Sequence, residues 1–134
     1  MKTLLILTLS LITVVSVKSQ IRIGTATPIS TFQVSGSQST STVTITATHT
    51  ASSSEYTILS NNTSGAITIN LQAAAGCSGR IYNIKKLSGA SKNVTIDPNA
   101  SETIDGASTT VLSNQYDSVT IQSDGTNWFI LSKN

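Results

Sequence analysis

From residue 43 onward, apolar and polar residues alternate with a period of two in short runs. Thr44 and Thr46 separate Val43, Ile45 and Ala47, while Thr68 and Asn70 separate Ile67, Ile69 and Leu71. Val94 and Ile96 flank Thr95, and Val119 and Ile121 flank Thr120. Successive side chains of a strand point to opposite faces, so each run predicts a strand with one buried and one solvated face. Tyr56–Leu59 and Arg80–Leu87 read the same way, the second with Tyr82 and Ile84 on one face and most of its charges on the other. Residues 127–131 differ: Trp128 and Ile130 oppose Phe129 and Leu131, so both faces are apolar. Such a strand lies in a core or against another subunit.

Turn formers punctuate these runs. Asn61-Asn62-Thr63-Ser64-Gly65, Asp97-Pro98-Asn99, Asp105-Gly106 and Ser123-Asp124-Gly125-Thr126 each end an alternating stretch. Proline fixes φ and lacks a donor, and Asp-Gly between alternating runs is a strong hairpin signal. Ala73-Ala74-Ala75 could open a helix, but Gly76 and Gly79 confine it to a short helical loop. About eight to ten short strands at this spacing predict an all-β fold, a small antiparallel β-sandwich of jelly-roll type.

The first 20 residues break the pattern. An apolar run from Leu4 to Val17, interrupted only by Thr8, Ser10, Thr13 and Ser16, follows Lys2. It has the anatomy of a secretory signal, with Val17 and Ser19 as the small residues preceding a cleavage site before Gln20. The alternative is retention of residues 1–19 as a membrane anchor or an ordered arm, with Leu4 to Val17 making the membrane contact and Lys18 and Arg22 at the headgroup level. Residues 20–65 then read as Ser/Thr-rich N-terminal strands and linker, with residues 35–54 lowest in complexity, and residues 66–134 as a C-terminal β module.

Composition narrows the function. Only 10% of the 134 residues are charged and 4% aromatic, whereas Ser and Thr contribute 43. That mixture disfavours helical bundles and suits Thr-edged strands and Ser-edged turns. The net charge of +2 owes to Lys2 and Lys18, because beyond residue 19 the six basic residues balance six acids. Arg80, Lys85, Lys86 and Lys92 cluster but alternate with apolar residues instead of forming a basic stripe with stacking aromatics, so no nucleic-acid partner is expected.

Candidate chemistry is sparse. Cys77 is the only cysteine and His49 the only histidine, so no intrachain disulfide can form. Nothing recommends His49 as a base for Cys77, and we expect a small turn residue and an exposed imidazole. Asp97, Glu102, Asp105, Asp117 and Asp124 are five of the six acids. Asp97, Asp105 and Asp124 each adjoin Pro or Gly, where an Asx side chain caps its turn by bonding the backbone two residues on. Calcium binding or paired-carboxylate catalysis is the lesser alternative for these acids. The expectation is no catalytic residue, no metal and no cofactor. Asn61, Asn62, Asn93 and Asn99 head Asn-x-Ser/Thr sequons, which matter only in a eukaryotic secretory setting.

Two longer stretches carry a resemblance. They are Asn93-Val94-Thr95-Ile96-Asp97-Pro98-Asn99-Ala100-Ser101-Glu102-Thr103-Ile104-Asp105-Gly106-Ala107-Ser108, and Gln115-Tyr116-Asp117-Ser118-Val119-Thr120-Ile121 with Ser123-Asp124-Gly125-Thr126-Asn127-Trp128. Together with Ile67–Leu71 and Gly79–Lys86, they resemble the small β module of phage tail-fibre and virion spike proteins and of related bacterial surface or prophage proteins, over roughly residues 66–132. The resemblance implies a homo-oligomer, a trimer by preference. It also implies display on a virion surface or in the extracellular space, and attachment to other virion proteins or host surface glycans. The expected function is therefore a non-enzymatic virion structural or attachment protein, with a secreted, adhesin-like bacterial surface protein as the alternative. Residues 35–54 and the turns near Asn61 and Asp105 are the expected contact loops, since exposed loops carry most binding functions.

Overall fold

The computed structural model describes residues 21–23, 32–34, 36–89 and 91–134. The signal, anchor and membrane-contact expectations for residues 1–19 lie outside the described residues. Among the described residues no helix is long and apolar enough to cross a membrane. Residues 1–38 form one unit, in which β1 (Ile21–Ile23) and β2 (Phe32–Val34) pair in parallel, Ile21 opposite Phe32.

Residues 39–134 form the second unit, which is all-β. Its strands are β3 (Thr42–Ile45), β4 (His49–Thr50), β5 (Thr57–Ser60), β6 (Ile67–Asn70), β7 (Ile81–Lys86), β8 (Val94–Asp97), β9 (Thr110–Leu112), β10 (Ser118–Ser123) and β11 (Trp128–Lys133). They make a five-stranded sheet in the order β11-β10-β7-β5-β3 and a four-stranded sheet in the order β4-β6-β8-β9. Strands from both sides of residue 65 share each sheet, so the compact unit does not begin at residue 66. The alternating run of Val43 and Ile45 is β3, as its period predicts, with Thr42 and Thr44 on its solvated face.

Strand direction corrects the expected antiparallel, jelly-roll pairing. From β3 to β8 the chain alternates between the sheets, and β3-β5, β5-β7, β4-β6 and β6-β8 are all parallel. The physical reason lies in the connections. Each turn sends the chain across to the other sheet instead of back along its neighbour, so every return to a sheet has the same direction, as in a β-solenoid. Antiparallel pairing enters only at one edge of this stack, where β9 joins β8 and the β10-β11 hairpin joins β7.

Register explains the core. Val43, Ile58, Ile84 and Val119 form one inward row across the first sheet, and Tyr82, Ile121 and Ile130 another. Ile67, Val94 and Leu112 form the matching row of the second sheet. Ile58, Ile69, Ile96 and Ile121 are wholly excluded from solvent, and burying such a side chain stabilises by roughly 1.5–3 kcal/mol. Trp128 is equally buried and stacks on Tyr82 at 5.6 Å between ring centroids. The last strand therefore spends its largest residue on its own chain's core, leaving Phe129 and Leu131 as its exposed apolar residues.

The third inward row, Ile45-Ser60-Lys86, turns polar. Lys86 shares a face with Tyr82 and Ile84, so the expected segregation of charge fails there. Its ammonium is fully buried and donates to the carbonyls of Ser88 (2.8 Å) and Gly89 (2.5 Å). Ser60 and Ser88 both donate to the Oδ1 of buried Asn62, whose amide reaches the carbonyls of Gly65 and Lys92. The turn near Asn61 is thus fastened inward through Asn62 and offers that sequon no free amide.

Candidate functional site

The connection from β6 to β7 shapes one end of the first sheet. Leu71 is drawn into the core, a single 3₁₀ turn follows at Ala74–Gly76, and Arg80 N–H closes the next turn on the Cys77 carbonyl at 2.9 Å. Gly79 takes the positive φ of 81° that this turn requires. Its amide donates to the Ser123 carbonyl while Ser123 donates back to Arg80, so β10 holds the turn from one side. On the other side Ala74 N–H donates to Glu102 Oε1 at 2.9 Å.

Three adjoining depressions surround this turn. One of about 480 Å³ lies between Tyr56 and Cys77–Ile81, and one of about 280 Å³ between Ser53, Gln72 and Arg80. The third, about 370 Å³, runs from Ser78 and Gly79 past Gln122 to Phe129. Arg80 lines the first two, and Ser78 and Gly79 line the first and third, so the three adjoin around this turn and are named together the Arg80 groove.

Its walls are positioned by polar side chains. Glu55 accepts from Ser52 N–H at 2.8 Å and lies 3.0 and 3.1 Å from Nε2 of His49, folding the 51–56 loop tightly. That loop presents the Ser53 carbonyl, which takes a 2.7 Å bond from Nη1 of Arg80. Among the described residues the Arg80 guanidinium has no carboxylate partner. Behind it, the Tyr82 hydroxyl lies 3.0 Å from both the Ser52 carbonyl and Gln72 Oε1. Burial raises the Tyr82 pKa above its ordinary 10.0, with the Arg80 charge opposing the rise.

The acids are dispersed. Asp124 caps its own turn as expected, accepting from Thr126 and Asn127 at 2.7 Å each. Those amides, Asn127 first, hold its carboxyl below 3.8. Asp117 accepts from Asn114 at 2.8 Å and Ser113 at 3.0 Å, and its pKa is lowered by the same bonds. Asp105 does not bond two residues on; it reaches Ile130 of β11. Among the described residues Asp97 makes no side-chain hydrogen bond, and no group of three or more His, Cys, Asp or Glu is placed to hold a metal ion.

Cys77 is the turn residue expected, its thiol donating to the Ala73 carbonyl. His49 is not the exposed imidazole expected but partly buried against Glu55. Of the expected contact loops, residues 35–54 contribute Ser53 to the groove, whereas the turns at Asn61 and Asp105 do not line it. Sequence reading treats Arg80 as one more strand-edge charge. The available signal is its place directly after Gly76-Cys77-Ser78-Gly79, a connection too rich in glycine to continue either strand.

Fold and groove together define a small all-β protein of two mixed sheets with a solvent-open polar groove beside a single arginine. In comparisons with known proteins, no family model matches the chain and no curated protein matches it.

Proposed function

We propose that this chain is a non-enzymatic structural and attachment protein of a virion surface, a spike or fibre-head β module that contacts its target through the Arg80 groove. The observation that carries the reading is how the polar groups around that groove are used. Glu55, Glu102, Ser78 and Asp124 hold backbone in place, while Arg80 keeps donors facing solvent between two depressions. Rigid walls around an open surface suit recognition. The resemblance over residues 66–132 supports the same reading, as do Phe129 and Leu131, exposed apolar residues that assembly as an oligomer would cover.

The alternative is a secreted, adhesin-like bacterial surface protein, favoured by the signal-like run Leu4–Val17. Immunogold electron microscopy of particles and cells from the source culture separates the two. Label on particles supports the virion reading, and label on the cell envelope or in the medium supports the alternative. Label confined to the cytoplasm overturns both. Light scattering adds a second check: a trimer is expected, and a strict monomer at high concentration would contradict the fibre-head form.

A further inference from the structure

We infer that the Arg80 groove binds a carboxylated saccharide, a sugar chain carrying a uronate-type or sialate-type acid, with Arg80 as the residue that selects the charge. The inference rests on the attachment reading above and names its ligand class. Arginine presents a planar fork of donors that matches a carboxylate in two parallel bonds. One nitrogen of Arg80 is fixed on the Ser53 carbonyl, which aims the fork without neutralising it, and no carboxylate among the described residues competes for it.

The rest of the groove matches a sugar better than another anion. Tyr56 lines the depression beside Arg80 and Phe129 lines the adjoining one past Ser78 and Gly79, so an aromatic residue is present in each of the two. Polar capacity lies between and beside them. Gln72 uses its oxygen towards Tyr82, leaving its amide hydrogens for a hydroxyl, and Gln122 uses its amide on the Gly79 carbonyl, leaving its oxygen. A saccharide offers this combination of hydroxyls, C–H faces and one acid.

Charge sets the limit on the anion. Among neighbouring cations Lys86 is buried on carbonyls and Lys85 bonds the Tyr116 carbonyl, so neither lines the groove. At the far end Asp124 stays ionised, its carboxyl held below 3.8 by the amides of Asn127 and Thr126. With Arg80 lining two of the depressions and Asp124 the third, the surface carries one charge of each sign, which suits a ligand with a single negative charge and disfavours polyphosphates and nucleic acid.

The test uses the full chain with glucuronate oligosaccharides and N-acetylneuraminate, their methyl esters as uncharged controls, and inorganic phosphate as competitor. Binding is followed by isothermal titration and by ¹H–¹⁵N chemical-shift mapping. We expect weak binding of the acids, with shifts at Ser53, Gln72 and Cys77–Ile81, and about tenfold weaker binding of the esters. Arg80→Gln should weaken the acids about tenfold and leave the esters unchanged, with Arg80→Lys intermediate. Unchanged backbone spectra outside the groove would establish that both variants fold. Equal binding of acid and ester, insensitivity to Arg80→Gln, shifts elsewhere on the surface, no binding, or phosphate binding as tight as the sugars would each overturn the inference. Surface label in the immunogold experiment alongside failed sugar binding would discard only the ligand class. Cytoplasmic label would discard the attachment reading whatever the groove binds.

Discussion

The Asp105 carboxylate accepts the amide hydrogen of Ile130 at 3.1 Å, joining residues 25 apart in the chain. Two backbone bonds precede it on the same edge, Trp128 N–H to the Thr103 carbonyl and Asp105 N–H to the Trp128 carbonyl. Residues 103–105 thus cover the outer edge of β11, the last strand of its sheet, where an open ladder would invite another chain. Asp105 and Gly106 both take positive φ, 50° and 81°, as a two-residue hairpin turn between Ile104 and Ala107 requires.

Asp105→Gly keeps that backbone conformation and removes the bond. We expect a loss of about 1 kcal/mol and faster exchange of the Ile130 amide, while Asp105→Asn, which retains an acceptor and tolerates positive φ, stays close to wild type. Urea denaturation with amide hydrogen exchange checks both, and unchanged Ile130 exchange in Asp105→Gly would refute the edge-sealing role.

Lys86 is the buried counterpart. Replacing it by Met removes the donor serving the Ser88 and Gly89 carbonyls, and orphaning the acceptor of buried Ser88 costs about 1–3 kcal/mol. Thermal or urea melting of Lys86→Met should show that loss. A stabilised variant would mean that desolvating the ammonium outweighs its bonds.

Tyr82 predicts an alkaline transition. Its folded pKa is raised above 10.0 by burial, so the folded state favours the neutral phenol. The stability this contributes is fully present below pH 10 and is lost as pH rises through the folded pKa. Urea midpoints measured from neutral pH to above pH 10 should fall for the wild type, and Tyr82→Phe should flatten that fall while lowering the neutral-pH unfolding free energy by about 1 kcal/mol of lost hydrogen bonding.

Asp117 and Asp124 predict the acid side. Both have folded pKa values depressed below 3.8 by backbone amides. Their contribution is therefore present above pH 3.8 and is lost as pH falls through the folded values. The double variant Asp117→Asn, Asp124→Asn should show a shallower decline of the urea midpoint below pH 4, and an identical decline would rule out the caps as its source.

Much of the strand content was legible because period-two alternation reports directly which face meets a core. Ile67, Ile69 and Leu71 are buried while Thr68 and Asn70 face outward, as their spacing predicts. The Asp124-Gly125 hairpin and the short helical turn at Ala74–Gly76 were legible for the same local reasons. Lys86 was misplaced because a charged residue on an inward position looks like an error of period until the Ser88 and Gly89 carbonyls are seen closing around it. The groove was not legible, since Ser53 meets Gln72 and Arg80 in one depression, and Phe129 meets Ser78 and Gly79 in another, only where separate connections converge.

The sequence by itself determined the all-β class, the inward and outward faces of most strands and the positions of the tight turns, because these depend on side-chain alternation and on φ preferences within a few residues. Only the tertiary structure decided strand direction, the pairing of β5 with both β3 and β7, and the surroundings of Arg80, Lys86 and Asp105. Parallel and antiparallel strands share one alternation, and what separates them is where each connection carries the chain. That is set by long-range packing between two sheets.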